Sequence, residues 1–274
     1  RKGDRPTNVF VPPGVPGYEP PASGIDLEND ANNLQANIDV ANRLMDEAGY
    51  PKNASGMRAG FQTIDILYNT DEGHKKVAEY IAAQWKKNLG IDVVATNKEW
   101  QSYIENQRRL TYFVSRAGWI GDYLDPNTFL NMWLTKGGNN QTGWGNPLYD
   151  RLIEMAGDVR IFLSNRDTML PKLREQDRMS GFLAAYDDAA DEDAKREAVR
   201  QVRFQLFREA EAILVQDEFP VIPIYSYQVS GLIRPGVEGF YTEIPRPDGS
   251  MGPNLQDLHP FRYVSTPRSR SEDR

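Results

Sequence analysis

A lone carboxylate stands beside two aromatic rings in the segment Arg116-Ala-Gly-Trp-Ile-Gly-Asp-Tyr123. Asp122 comes three residues after Trp119 and directly before Tyr123. A carboxylate set against aromatic walls suits the capture of a small cation such as a free amino terminus. An α-amino group titrates near ~8 and is mostly cationic at neutral pH; a desolvated charge-assisted hydrogen bond to it is worth about 1.5–3 kcal/mol. Arg116, in the same segment, has the planar fork that pairs bidentately with carboxylates. His74 falls in the first turn of an expected helix, where the dipole favours an anion. Indoles are usually structural, yet Trp100 and Trp119 each sit at the end of an element near the same place. Trp85 and Trp133 have helical apolar spacing and are expected in the core, whereas Trp144 lies in a Gly-flanked loop and is open to either reading. Asp125 is better placed than Asp122 to cap a helix at Pro126.

Other chemistries find little support. The chain has 274 residues with no cysteine and only two histidines, so thiol nucleophiles, disulfides and zinc–thiolate sites are excluded and catalytic triads are poor. No Gly-x-Ser-x-Gly elbow, phosphate-cradling loop or His-Glu-x-x-His pair occurs. Asp122 and Asp125 lie in one loop and lack the facing partner that a glycosidase needs. The acids from Asp187 to Asp193 lack calcium-loop spacing. No cofactor is implied. A net charge of −7 argues against nucleic acid and anionic membrane surfaces as partners. No apolar run reaches the roughly 18 residues that would span a bilayer. The opening residues carry no basic-then-apolar signal and read as the interior of a longer or processed protein.

Several elements must position these residues. Residues 1–29, rich in Pro and Gly, are expected as an extended lead-in wrapping a surface. Leu34, Ile38, Ala41, Met45 and Ala48 form the stripe of a helix over about 30–48. A β-α-β pattern follows: a strand at Thr63–Tyr68, a helix capped by Asp71 with Val77, Ile81, Trp85 and Leu89 inward, Gly90 as its stop, and a strand at Ile91–Ala95. This predicts a parallel crossover. A short helix over roughly 98–109 leads to a third strand, Tyr112–Ala117, and Asp122 lies beyond its carboxyl end, where open α/β sheets gather ligands. Helices are expected at about 126–134, 147–156 and 191–216, with a less regular, charged stretch over 157–190. Val221–Tyr225 reads as a buried or edge strand. Residues 234–262 read as loop-rich and 265–274 as disordered.

The ordered set Phe10-Val-Pro-Pro-Gly14, Ala48-Gly-Tyr-Pro51, Leu67-Tyr-Asn-Thr70 with Glu72-Gly-His-Lys-Lys76, Trp85-Lys-Lys-Asn-Leu-Gly-Ile91, Glu99-Trp100, Arg116–Tyr123, Gln141–Asp150, Glu211-Ala-Ile-Leu214 and Pro220–Tyr225 resembles the oligopeptide-binding proteins of bacterial ABC importers, extracellular solute-binding family 5. The resemblance implies an α/β type II periplasmic-binding lobe, with a mostly parallel mixed sheet flanked by helices. It corresponds to the C-terminal lobe, the N-terminal lobe with its signal sequence being absent. On this reading 30–220 is the ligand-binding lobe, 157–190 an insertion, and 221–264 a return segment toward the missing lobe. It further implies that Asp122 pairs with a peptide's α-amino group, that Trp119 and Trp100 line side-chain pockets beside Tyr123, and that Arg116 and His74 meet peptide C-termini. The expected partners are a short peptide, importer permease subunits and the first lobe, in a periplasmic or extracytoplasmic setting. The alternatives are a same-fold binder of another solute such as an oligosaccharide, and an interaction module without transport.

Overall fold

The computed structural model describes residues 4–21, 30–227, 243–245 and 251–253. The expected disordered tail at 265–274 and most of 228–262 lie outside the described residues.

The sheet half begins after α1 (Asp30–Glu47). Strand β2 (Ile64–Asn69) is central, flanked in parallel by β3 (Val93–Lys98) and β4 (Val114–Ser115), in the order β3-β2-β4. Helix α2 (Glu72–Leu89) links β2 to β3, and α3 (Trp100–Arg108) links β3 to β4. Asp71 caps α2 as predicted, accepting from the backbone N–H groups of Gly73 and His74 at 2.8 and 3.0 Å. Gly90 ends α2 at φ +73°, and a Cβ there would collide with the Gly56 carbonyl, so only glycine fits. Ile66, Tyr68 and Ala78 are the buried centre of this half.

The helical half is larger. It comprises α4 (Asn127–Leu130) continuing as a 3-10 turn (Asn131–Trp133), α5 (Pro147–Gly157), α6 (Val159–Ser164), α7 (Arg166–Met169), α8 (Gln176–Asp187) and α9 (Glu192–Ala212), which widens into a π turn over Ile213–Asp217. Val202, Leu206, Phe207 and Leu214 of α9 and its π turn pack against Leu152 and Met155 of α5 and Phe162 of α6. The lead-in joins this core. Strand β1 (Arg5–Pro6) pairs antiparallel with β5 (Tyr225–Ser226), and the strap that follows buries Val11, Val15 and Tyr18. Strands β6 (Glu243–Pro245) and β7 (Met251–Pro253) pair antiparallel.

Several expectations are corrected. The stretch 157–190 is mostly helical, and Phe162, Met169, Leu173, Met179 and Leu183 enter the main core. Its helices are short, so no single apolar period runs long enough to be seen. Strand β3 runs three residues beyond the expected end, since its polar Thr96-Asn97-Lys98 still pair with β2. Strand β4 shrinks to two residues because the Phe113 N–H goes to the Asp65 carboxylate at 3.2 Å instead of to the ladder. Trp85 is half-buried and belongs to neither core cluster, whereas Trp133 is core. Leu34 is exposed rather than part of a buried stripe on α1. Ile222 and Ile224 are also exposed; prolines 220 and 223 offer no N–H, and the strand starts four residues later than expected, at Tyr225.

Candidate functional site

Parallel register puts the carboxyl ends of β2, β3 and β4 on one edge of the sheet: Asn69 lies opposite Lys98, and Leu67 opposite Ser115. The ends are tied together where they stop. The Thr70 hydroxyl donates to the Lys98 carbonyl at 3.2 Å, and the Arg116 N–H donates to the Leu67 carbonyl at 2.8 Å. From this edge rise Trp100 after β3, the α2 N-terminus with His74 after β2, and Arg116, Trp119, Asp122 and Tyr123 after β4. Every residue singled out from the sequence therefore follows the carboxyl end of one of these three strands.

Each is held differently. Tyr103 fixes the Arg116 backbone by donating its hydroxyl to the Arg116 carbonyl at 2.5 Å, while Gln107 donates to the Tyr103 oxygen at 2.8 Å and to Ser115 Oγ at 2.9 Å. Burial raises the Tyr103 phenol above its ordinary value, so it stays protonated and a donor. The Arg116 guanidinium meets the Tyr227 hydroxyl, just past β5, with the ring 5.9 Å away. The Trp119 indole packs against the main core and donates Nε1–H to the Thr128 carbonyl at 2.8 Å. Trp100 is exposed and stacks on Tyr103 with ring centres 5.6 Å apart. Tyr123 is exposed, and its hydroxyl accepts from Asn127 Nδ2 at 2.8 Å.

Asp122 is exposed. Its backbone N–H is held by Thr128 Oγ1 at 3.0 Å, and no described residue donates to its carboxylate. Asp125 takes the capping duty anticipated for it, accepting from the Asn127 N–H at 2.9 Å. It also forms a two-pronged pair with Arg203 at 2.7 and 2.8 Å, which ties the Asp122 loop to α9. His74 is not at the surface: its side chain is 12% exposed, and Nε2 lies 3.8 Å from an Asp71 oxygen, so the imidazole sits against its own helix cap.

Sequence reasoning passed over two residues. Asn69, at the end of the central strand, has a buried side-chain oxygen with no partner among the described residues. Its position at the carboxyl end of β2 was the available signal. Glu211 is fully buried on α9 and accepts from the Phe10 and Val11 N–H groups at 2.7 and 2.8 Å and from the Tyr18 hydroxyl at 2.5 Å. Burial is the largest influence on it and pushes its carboxyl up to about 7. Among the described residues no three His, Cys, Asp or Glu side chains converge as a metal site, and no helix is long and apolar enough to cross a membrane.

A family model described as bacterial extracellular solute-binding proteins, family 5 Middle, matches residues 1–141. The chain belongs to that family. The oligopeptide-binding protein OppA of Bacillus subtilis is 29% identical over 245 residues, 86% of this chain and 36% of its own length. The solved structure of the Escherichia coli murein tripeptide-binding protein MppA has TM-score 0.59 at 29% identity, covering 87% of this chain and 37% of that one. Haemophilus influenzae OppA, solved in complex with the peptide RPPGFSPFR, gives TM-score 0.58 at 30% identity with the same coverages, 87% and 37%. The chain thus spans little more than a third of the length of the relatives it matches. The fold expected from the resemblance, part of a solute-binding protein with a parallel sheet flanked by helices, is the fold observed.

Proposed function

We propose that this chain forms one wall of a peptide-binding cleft in an extracytoplasmic solute-binding protein that delivers its ligand to ABC importer permease subunits, the facing wall being another lobe of the same protein. The observation that supports the reading is the parallel sheet, whose strands are followed in the chain by an exposed acid, an arginine and two tryptophans, in a chain similar to a peptide-bound OppA. Asp122 takes the peptide's amino terminus. Trp100, Trp119 and Tyr123 flank its side chains, and Arg116 or His74 meets its carboxylate. Asn69 Oδ1 accepts a ligand backbone N–H, giving affinity without readout of peptide sequence. Closure of the facing wall desolvates Asp122 and raises the value of its ion pair. The role is binding and not catalysis, in keeping with the family of solute-binding proteins.

The test is calorimetry on the full-length protein with a free-amino tripeptide and its N-acetylated form. Asp122→Asn is expected to cost about 3–5 kcal/mol for the free peptide, the usual loss on breaking a buried pair, and little for the acetylated one. Equal affinity of wild type for both peptides would overturn the assignment of Asp122.

A further inference from the structure

The loop between β4 and α4 carries Trp119, Asp122 and Tyr123, and all three lean on the first two residues of α4. The Trp119 indole donates Nε1–H to the Thr128 carbonyl at 2.8 Å, and the Asp122 N–H donates to Thr128 Oγ1 at 3.0 Å. Asn127 Nδ2 donates to the Tyr123 hydroxyl oxygen at 2.8 Å. Thr128 thus holds two of the three, one with each of its oxygens, and is itself 2% exposed. Gly121 makes the approach possible. A Cβ there would lie 2.6 Å from Phe129 Cζ and 3.0 Å from Thr128 Cγ2. Phe129 is buried in the main core and cannot swing aside, so a side chain at position 121 would lift the loop off α4.

The anchor beneath is firm. Asp125, which accepts from the Asn127 N–H at 2.9 Å, is clamped by Arg203 at 2.7 and 2.8 Å. Arg203 also donates Nε–H to the Ala156 carbonyl at 3.0 Å and lies 4.8 Å over the Phe207 ring. The start of α4 is therefore fixed to α9 and α5 before any ligand arrives. Asp122 is held more lightly. Among the described residues its N–H to Thr128 Oγ1 is the one hydrogen bond it makes. A backbone amide held in place fixes the direction of the Cα–Cβ bond, and the rotamers open to a side chain follow its backbone. The Thr128 hydroxyl thereby aims a carboxylate that it does not touch. A carboxylate aimed in advance has less ordering to lose on binding.

We propose that Thr128 is a positioning residue for the amino-terminus contact: its buried hydroxyl holds the Asp122 N–H, aims the Asp122 carboxylate, and so sets the preference for a free amino group over a blocked one. The inference rests on the assignment of Asp122 made above and adds what gives that carboxylate its direction. Being buried, Thr128 acts through Asp122 and not by contact with the peptide. Its two tethers can also be separated. Trp119 is held by the backbone carbonyl, which every substitution at position 128 keeps, whereas Asp122 is held by the side-chain hydroxyl. Thr128→Val keeps the branched shape and removes the hydroxyl, and Thr128→Ser keeps the hydroxyl and removes a methyl group.

The experiment titrates trialanine, and separately N-acetyl-trialanine, into the full-length protein by calorimetry. Thr128→Val weakens trialanine about fivefold, the worth of one hydrogen bond, and moves the acetylated peptide by less than about twofold. Thr128→Ser restores the wild-type preference. A merely structural role would move both peptides together and would not separate Thr128→Ser from Thr128→Val. If Thr128→Val fails to fold, Thr128→Ala against Thr128→Ser, which differ by the hydroxyl alone, makes the same comparison. Wild type that does not prefer trialanine removes the assignment of Asp122 and this inference with it. Wild type that prefers trialanine overturns the role of Thr128 alone if Thr128→Val or Thr128→Ala keeps the whole preference, or if Thr128→Ser loses as much of it as they do.

Discussion

Residues 64–117 bury only Ile66, Tyr68 and Ala78 at the centre of their cluster, whereas the residues of α4 to α9 and the strap enclose an extensive apolar core. The two halves also differ in what they leave outside. The sheet half exposes Val94, Trp100 and Phe113, with Ile120 and Tyr123 just beyond it, while the helical half places Phe162, Phe207, Leu206 and Met179 wholly inside. The contrast separates two jobs. The thin sheet leaves side chains such as Trp100 and Tyr123 exposed, outside its small core. The helical mass supplies the rigidity that keeps the edge in place, through Trp119 on the Thr128 carbonyl and Asp125 on Arg203.

The largest expected effect that sharpens this contrast is a large-to-small change in the helical core. Phe207→Ala should cost about 3–5 kcal/mol, and half-buried Ile81→Ala in the sheet half about 1–2 kcal/mol, by urea unfolding. Equal losses would erase the distinction between the halves. Next comes Glu211, a buried acid in the apolar half. Its folded value of about 7 lies above the ordinary 4.5, so the folded state holds the extra proton between those values. Stability from this group is full below about pH 4.5 and is lost as pH rises through 7, by up to about 3 kcal/mol. Glu211→Gln should flatten that part of the pH–stability curve; an unchanged slope would show that the carboxyl titrates normally. The smallest expected effect belongs to the edge. Asp122→Asn should leave the melting curve of this chain within about 0.5 kcal/mol of wild type, because the exposed carboxylate holds nothing in the fold. A larger loss would make Asp122 a structural residue.

The same contrast governs what could be read in the residues. The β-α-β unit, its Asp71 cap and its Gly90 stop were legible because each element has one clear period and one clear terminator. The polar end of β3 was not, since its pairing comes from backbone register and not from apolar side chains. The helices of 157–190 were hidden because each buries only one or two residues between charged ones. For the proposed site, residue type and place singled out Asp122, Trp100, Trp119 and Arg116, and each follows one of the three strands of the sheet in the chain. Asn69 was not singled out, because an amide stands out only once its surroundings leave one of its atoms bare. The cradle of Glu211 was equally invisible, as it joins residues 200 apart.

That separation carries a consequence for birth on the ribosome. Phe10, Val11 and Tyr18 reach their acceptor only after position 211 has emerged, some 200 residues later. At roughly 5–20 residues per second the delay is about 10–40 s. For that interval the leading segment trails as an uncommitted thread with its valines and tyrosine unshielded, open to proteases and to holdase chaperones, and its docking must come late in the maturation of the newborn chain.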